Sequence, residues 1–171
     1  ALPLEEQVIT ARSRTLGPGH PDTLSILVNH AGTLLNAGQA GAALRLLGDV
    51  QPLALKTLGE KHPQAQATMV IRAEALRVLG RLPEALEEYR RLFDLRRRAL
   101  GDTDVETRTA AWNLIDTYRE LGRPAAAEPL YRQYIAPLLA ADSATLDARD
   151  AEFAQRYREG RRPGKQKIPR G

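Results

Sequence analysis

Apolar residues along this chain return three and four positions apart, as at Leu86, Tyr89, Leu92 and Phe93. That spacing predicts amphipathic helices. No segment shows the strict alternation of a half-buried strand, so the expected class is all-α with no β-sheet. Above the helical period lies a longer one of 42 residues. Leu16-Gly17, Leu58-Gly59 and Leu100-Gly101 form one column, Gly38, Gly80 and Gly122 a second, and Ala1, Ala43, Ala85 and Ala127 a third. Apolar columns run beside them: Val8, Val50, Leu92 and Tyr134, and also Leu34, Leu76 and Tyr118. Several columns in step over three repeats point to a stacked array of one supersecondary unit.

Each unit reads as two helices. His20-Pro21 and His62-Pro63 place proline where a helix can begin, because the missing N–H would be unpaired there anyway. Asp102, Thr103 and Asp104 offer N-cap side chains at the same point of the third unit. Gly38, Gly80 and Gly122 suit the left-handed residue that closes a helix. Pro83 and Pro124 then open the second helix of their units. The alanine column, with Ala31 and Ala73 opposite, keeps the helix axes close at their crossing. In the first unit the second helix carries Gly48 and Pro52, which predict a kink or local looseness.

These residues resemble the tetratricopeptide repeat, in the 42-residue form found in kinesin light chains and many bacterial signalling proteins. The resemblance rests on LGPGHPDTL at 16–24, LGEKHP at 58–63, LGRLPEALEEYRRLFDLRRRALG at 80–101 and LGRPAAAEPLY at 121–131, and spans about residues 1–158. Arg72 and His30 depart from it, standing where the family usually has leucine. The implied fold is a right-handed α-solenoid of antiparallel helix pairs. Its expected parts are 1–15, the second helix of a truncated repeat; repeats 16–57, 58–99 and 100–141; a capping helix 142–158; and a basic flexible tail 159–171. Residues 1–15 align with 127–141 without a preceding first helix, so a piece of a longer array is expected. In the cap, Leu146, Phe153, Ala154 and Tyr157 are expected to face inward and Asp147, Arg149, Asp150, Glu152, Gln155, Arg156 and Arg158 outward.

The resemblance implies that first helices line a concave groove that binds a peptide or a partner helix. The positions carried over include Asn29 and Asn36 in the first repeat, Glu74 and Arg77 in the second, and Trp112, Asn113, Asp116 and Arg119 in the third. A side-chain amide at Asn29 or Asn113 can both donate to and accept from a peptide backbone. Trp112 is the only tryptophan; it either opens into the groove or packs against a neighbouring helix. Arg77 and Arg119 could pair with acidic ligand groups, although Glu74, Asp116 and Glu120 lie within helical reach of them. Val28, Gly32 and Ile71 occupy positions where the family's carboxylate clamps carry Lys, Arg or Asn, so a clamp for a C-terminal carboxylate is not expected.

Composition narrows the remaining choices. In 171 residues there is no Cys and only three His, so a disulfide framework, thiolate zinc and a Cys nucleophile are excluded. His20 and His62 recur in equivalent loops and read as structural punctuation. No H-E-x-x-H, P-loop or G-x-S-x-G pattern occurs, so no enzymatic activity, cofactor or metal is expected. No stretch is long and apolar enough to span a membrane, and the expected location is the cytoplasm.

The net charge of +4 is uneven: residues 156–171 hold seven basic side chains against one glutamate, +6, which leaves −2 for the rest. A second reading is therefore nucleic-acid or anionic-surface binding through this tail and the Arg-rich helix around Arg90–Arg98. A third is self-association through Leu4, Val8 and Ile9 of the N-terminal helix. The favoured expectation is a non-catalytic scaffold for a protein or peptide ligand, within a larger bacterial signalling or regulatory protein.

Overall fold

A computed structural model describes residues 2–142 and 145–160, with side chains from residue 7 onward. The helices run α1 Leu2–Leu16, α2 Pro21–Asn36, α3 Ala40–Leu58, α4 Pro63–Val78, α5 Leu82–Leu100, α6 Val105–Glu120, α7 Pro124–Leu130, α8 Ala136–Ala140 and α9 Ala148–Arg158. One π-helical turn, Tyr131–Ile135, joins α7 to α8. No strand occurs among the described residues. The chain divides into two compact units, Ala1–Leu95 and Arg96–Gly171.

The first helix of each pair starts on a capped N-terminus at a 42-residue step. His20 Nδ1 accepts from the Asp22 N–H and His62 Nδ1 from the Gln64 N–H, each at 3.2 Å. Asp104 Oδ1 does the same for the Glu106 N–H at 2.8 Å. Each bond satisfies one of the donors that a helix start leaves without a partner.

The same helices end alike. The Gln39 N–H reaches the Leu34 carbonyl at 2.8 Å, Arg81 reaches Leu76 at 2.9 Å and Arg123 reaches Tyr118 at 2.9 Å. This reversal needs a left-handed residue, which Gly38, Gly80 and Gly122 supply with φ of 78°, 75° and 69°. Positive φ also marks Gly17, Gly59 and Gly101. The chain therefore turns back at six glycines spaced 21 residues apart.

The core of the first unit is a seam of Leu24, Leu27, Val28, Val50, Ala54 and Ala65, against which Ile9, Leu46, Leu53, Leu58 and Ile71 pack. Ala43, Ala85, Ala31 and Ala73 are fully buried. In the second unit Ala110, Ala111, Leu114, Ile115, Ala127, Ile135 and Phe153 are buried. Arg72 lies in α4 among these apolar positions because a partner meets it. Its Nε is 3.0 Å from Glu88 Oε1, and Gln51 donates Nε2–H to Glu88 Oε2 at 3.2 Å. Three helices, α3, α4 and α5, thus share one carboxylate. His30 is buried as well.

The structure moves the expected irregularity. α3 runs unbroken through Pro52. The carbonyl that a Pro52 ring crowds, four residues back, is that of Gly48, the residue with the most backbone freedom. The interruption falls instead in the third repeat, where Pro129 and Pro137 flank the π turn. There the Ala136 N–H bonds to the carbonyl of Tyr131, five residues back, one residue before Pro137, which has no N–H to offer.

Candidate functional site

The sequence-derived site residues fall into two sets, one in each compact unit. On α2 of the first unit, Asn29 and Asn36 are exposed, and neither side chain makes a hydrogen bond among the described residues. They lie two turns apart on one stripe. Gly32 stands between them, and a Cβ placed there would meet only Ile71 Cδ1, at 3.8 Å. The stripe is therefore two free amides around a smooth gap.

On α4, Glu74 and Arg77 are engaged with each other. The Arg77 Nε–H donates to Glu74 Oε2 at 2.9 Å, and a second guanidinium nitrogen holds Oε1. The Tyr89 hydroxyl, from α5, donates to Glu74 Oε2 at 2.9 Å. Arg77 is only 12% exposed. This fork-on-carboxylate geometry fixes both side chains, and the pair is an internal strut of the α4–α5 contact.

In the second unit Trp112 is 3% exposed, so it does not open to solvent as a groove residue would. Its indole meets Phe153 edge-on at 5.6 Å and Tyr157 at 4.7 Å, both from α9. Such aromatic contacts add to the burial term itself. Asn113 is 9% exposed. Asp116 lies 4.0 Å from Arg119, whose guanidinium sits 5.9 Å from the Tyr131 ring centroid and 3.4 Å from the Tyr157 hydroxyl. Burial raises the Tyr157 pKa above its ordinary value, with the nearby Arg119 opposing that shift.

On α9 Asp147, Arg149, Glu152, Gln155 and Arg158 are exposed, as expected of a polar outer face, and one of that set departs from it. Asp150 turns inward to pair with Arg108. The Arg158 guanidinium donates to the Leu139 carbonyl at 3.2 Å. Phe153 and Ala154 are buried. Between α6 and α9 lies a cleft of about 190 Å³ lined by Thr109, Trp112, Arg149, Glu152, Phe153 and Arg156. One rim residue, Glu106, is held by Arg96 at 3.0 Å. Burial lowers the Arg96 pKa, and the carboxylates of Glu106 and Asp104 oppose that shift.

Sequence reasoning did not find this cleft, nor the Tyr89–Glu74 bond. The Arg108–Asp150 pair did leave a trace: the two residues are 42 apart, so opposite charges occupy one column of the repeat. The other expected surfaces are partly outside the described residues. Residues 161–171 of the basic tail and the side chain of Leu4 lie there. Of the N-terminal apolar set, Val8 is 41% exposed, whereas Ile9 packs into the core of the first unit. Among the described residues there is no His, Asp or Glu cluster fit for a metal, and no described helix is long and apolar enough to cross a membrane.

Paired helices that start at a 42-residue step, reversed at regular glycines and packed without a sheet among the described residues, define an all-α helical-repeat protein. Sequence profiles of the tetratricopeptide repeat match residues 64–136 and 1–22, together more than half of the chain. The chain belongs to the tetratricopeptide-repeat family, and its fold is that of kinesin-light-chain-like repeats. A Podosopora anserina protein described as a putative kinesin light chain with nearly identical TPR-like repeats superposes with a TM-score of 0.74 at 24% identity, covering 99% of this chain and 88% of that one. A variant form of that same protein gives a TM-score of 0.75 at 24% identity, covering 94% and 79%. None of the curated proteins matches the chain by sequence. Tetratricopeptide repeats are in general protein-interaction scaffolds and not catalysts, which is the coarse function of this fold.

Proposed function

We propose that this chain binds a peptide or partner helix along the faces of its first helices. The reading divides it into repeats 16–57, 58–99 and 100–141, preceded by a partial repeat and followed by a cap at 142–158. The carrying observation is the stripe on α2. Asn29 and Asn36 are exposed amides with no side-chain hydrogen bond among the described residues, set around Gly32. An extended backbone can approach that gap closely and be held by donors and acceptors without its side chains being read. Glu74, Arg77, Asp116 and Arg119 already have internal partners and act as supports of the binding face. The resemblance to bacterial arrays of this length supports a place in a larger signalling or regulatory protein of the cytoplasm.

The test is a pull-down that compares the intact chain with an Asn29→Ala, Asn36→Ala double variant. At least one captured protein is expected to be lost from the variant. Identical capture by the two would remove α2 from the binding face.

A further inference from the structure

We propose that the loop end of the first unit, where α1 and α3 finish and α2 and α4 begin, is a docking surface for an anionic lipid bilayer. Arg12, Arg14, Lys56 and Lys61 supply the charge, and Leu16 enters the headgroup region. This surface is separate from the faces of the first helices and does not depend on the peptide-binding reading.

The two ends of this unit use their cations differently. At the Gly80 end, Arg77 and Arg81 are each held by a carboxylate, Glu74 and Glu84. At the loop end, Arg12, Arg14, Lys56 and Lys61 are exposed, and none makes an ion pair or hydrogen bond among the described residues. The carboxylates nearest to them in the chain are already committed. Glu60 is held by Arg91 at 2.5 Å, and Asp22 stands 3.9 Å from His20 Nδ1. Helix dipoles account for only part of this set. Arg14 and Lys56 sit in the last turns of α1 and α3, where a cation is favoured. Lys61 stands one residue before the N-cap His62 of α4, where the dipole disfavours a cation. The free positive charge therefore calls for an anionic surface outside the chain.

An aliphatic side chain selects lipid among the anionic partners. Leu16 follows Arg14 by two positions and is 40% exposed. The same pairing recurs in register at Lys56 with Leu58 and at Arg98 with Leu100. Leu58 packs against the core of the first unit, whereas Leu100, in the second unit, is exposed. An aliphatic group beside cations gains by entering the boundary between headgroups and acyl chains, and each cation near an anionic leaflet strengthens the contact about fivefold. A nucleic acid would leave Leu16 in water. It would also find no ring to stack on, because Tyr89 and Phe93, the only Phe, Trp or Tyr residues of this unit, are buried. One leucine and four cations make a reversible, salt-sensitive contact rather than an anchor.

The chain has no Cys, so a single introduced cysteine carries one environment-sensitive nitrobenzoxadiazole label. Thr15→Cys puts it at the loop end beside Leu16, and Gln39→Cys puts it at the opposite end; both positions are exposed. The probe is vesicles of phosphatidylcholine with about 30% phosphatidylserine, added to the full chain at about 0.1 M salt. The label at position 15 is expected to brighten and shift to the blue while the label at 39 stays unchanged. Pure phosphatidylcholine, or about 0.5 M salt, should abolish the response. In the Thr15→Cys chain, Arg14→Gln, Lys56→Gln and Lys61→Gln together should raise the lipid concentration at half-response at least tenfold. Leu16→Gln should raise it a few-fold. Circular dichroism checks that these variants stay folded, and the comparison of positions 15 and 39 decides the matter without them. Equal responses at 15 and 39, or an unchanged half-point in the triple variant, would assign binding to another part of the chain, the basic tail included, and overturn the proposal. No response to vesicles, or a response to a DNA duplex alone, would overturn it as well.

Discussion

The second and third repeats carry the same kinds of polar residue in the same register and use them differently. Glu74, Arg77 and Tyr89 of one correspond, 42 residues on, to Asp116, Arg119 and Tyr131 of the other. In the second repeat the carboxylate is the hub, gripped by Arg77 and by the Tyr89 hydroxyl. In the third the guanidinium is the hub: Asp116 is one methylene shorter and stands 4.0 Å off, while Arg119 lies over Tyr131 and reaches Tyr157. The helix caps behave in the opposite way. His62 and Asp104 are different residues that satisfy the same backbone donor. A repeat thus preserves what the backbone demands. It leaves side-chain partnerships to whatever packs alongside, which in the third repeat is α9.

The comparison can be broken at its strongest point. Trp112→Ala removes the surface on which Phe153 and Tyr157 rest, and should lower stability by about 3–5 kcal/mol. Urea unfolding measures this; a midpoint equal to that of the parent would mean that α9 is not seated on α6. The cap equivalence is a smaller effect. His62→Ala should cost about 0.5–2 kcal/mol, and His62→Asp, which copies position 104, should recover most of it. If the aspartate variant melts with the alanine one, the two caps are not interchangeable. The finest contrast lies between two tyrosines. Tyr89→Phe should cost about 1 kcal/mol by stripping a bond from Glu74. Tyr131→Phe keeps the ring that faces Arg119 and should leave stability unmoved. Equal losses at the two positions would erase the distinction between a carboxylate hub and a guanidinium hub.

The fold was legible in the sequence because its determinants are local and repeated. Glycine closures, prolines at helix starts and a buried alanine column each recur at fixed intervals, and the backbone has few ways to satisfy them all. The candidate site was less legible. Trp112 sits at a groove position by register, yet its environment is set by α9, a segment outside the repeat pattern. Pro52 and Pro137 were equally visible, but their outcomes differ with the residue four positions earlier, Gly48 in one case and Gln133 in the other. Gln51, Glu88 and Arg72 come from three separate helices, and nothing in the spacing of any one of them announces the contact.

The regular glycine reversals set a rule for how such a chain can change length. With turning points at Gly17, Gly38, Gly59, Gly80, Gly101 and Gly122, any segment cut at one of them and rejoined at the next but one removes a whole helical pair and leaves every other reversal in phase. A duplication between the same marks adds a pair as cleanly. Growth or trimming of the array by whole pairs therefore keeps the reversals in register, and an engineer who wants a longer or shorter version has the splice points already marked.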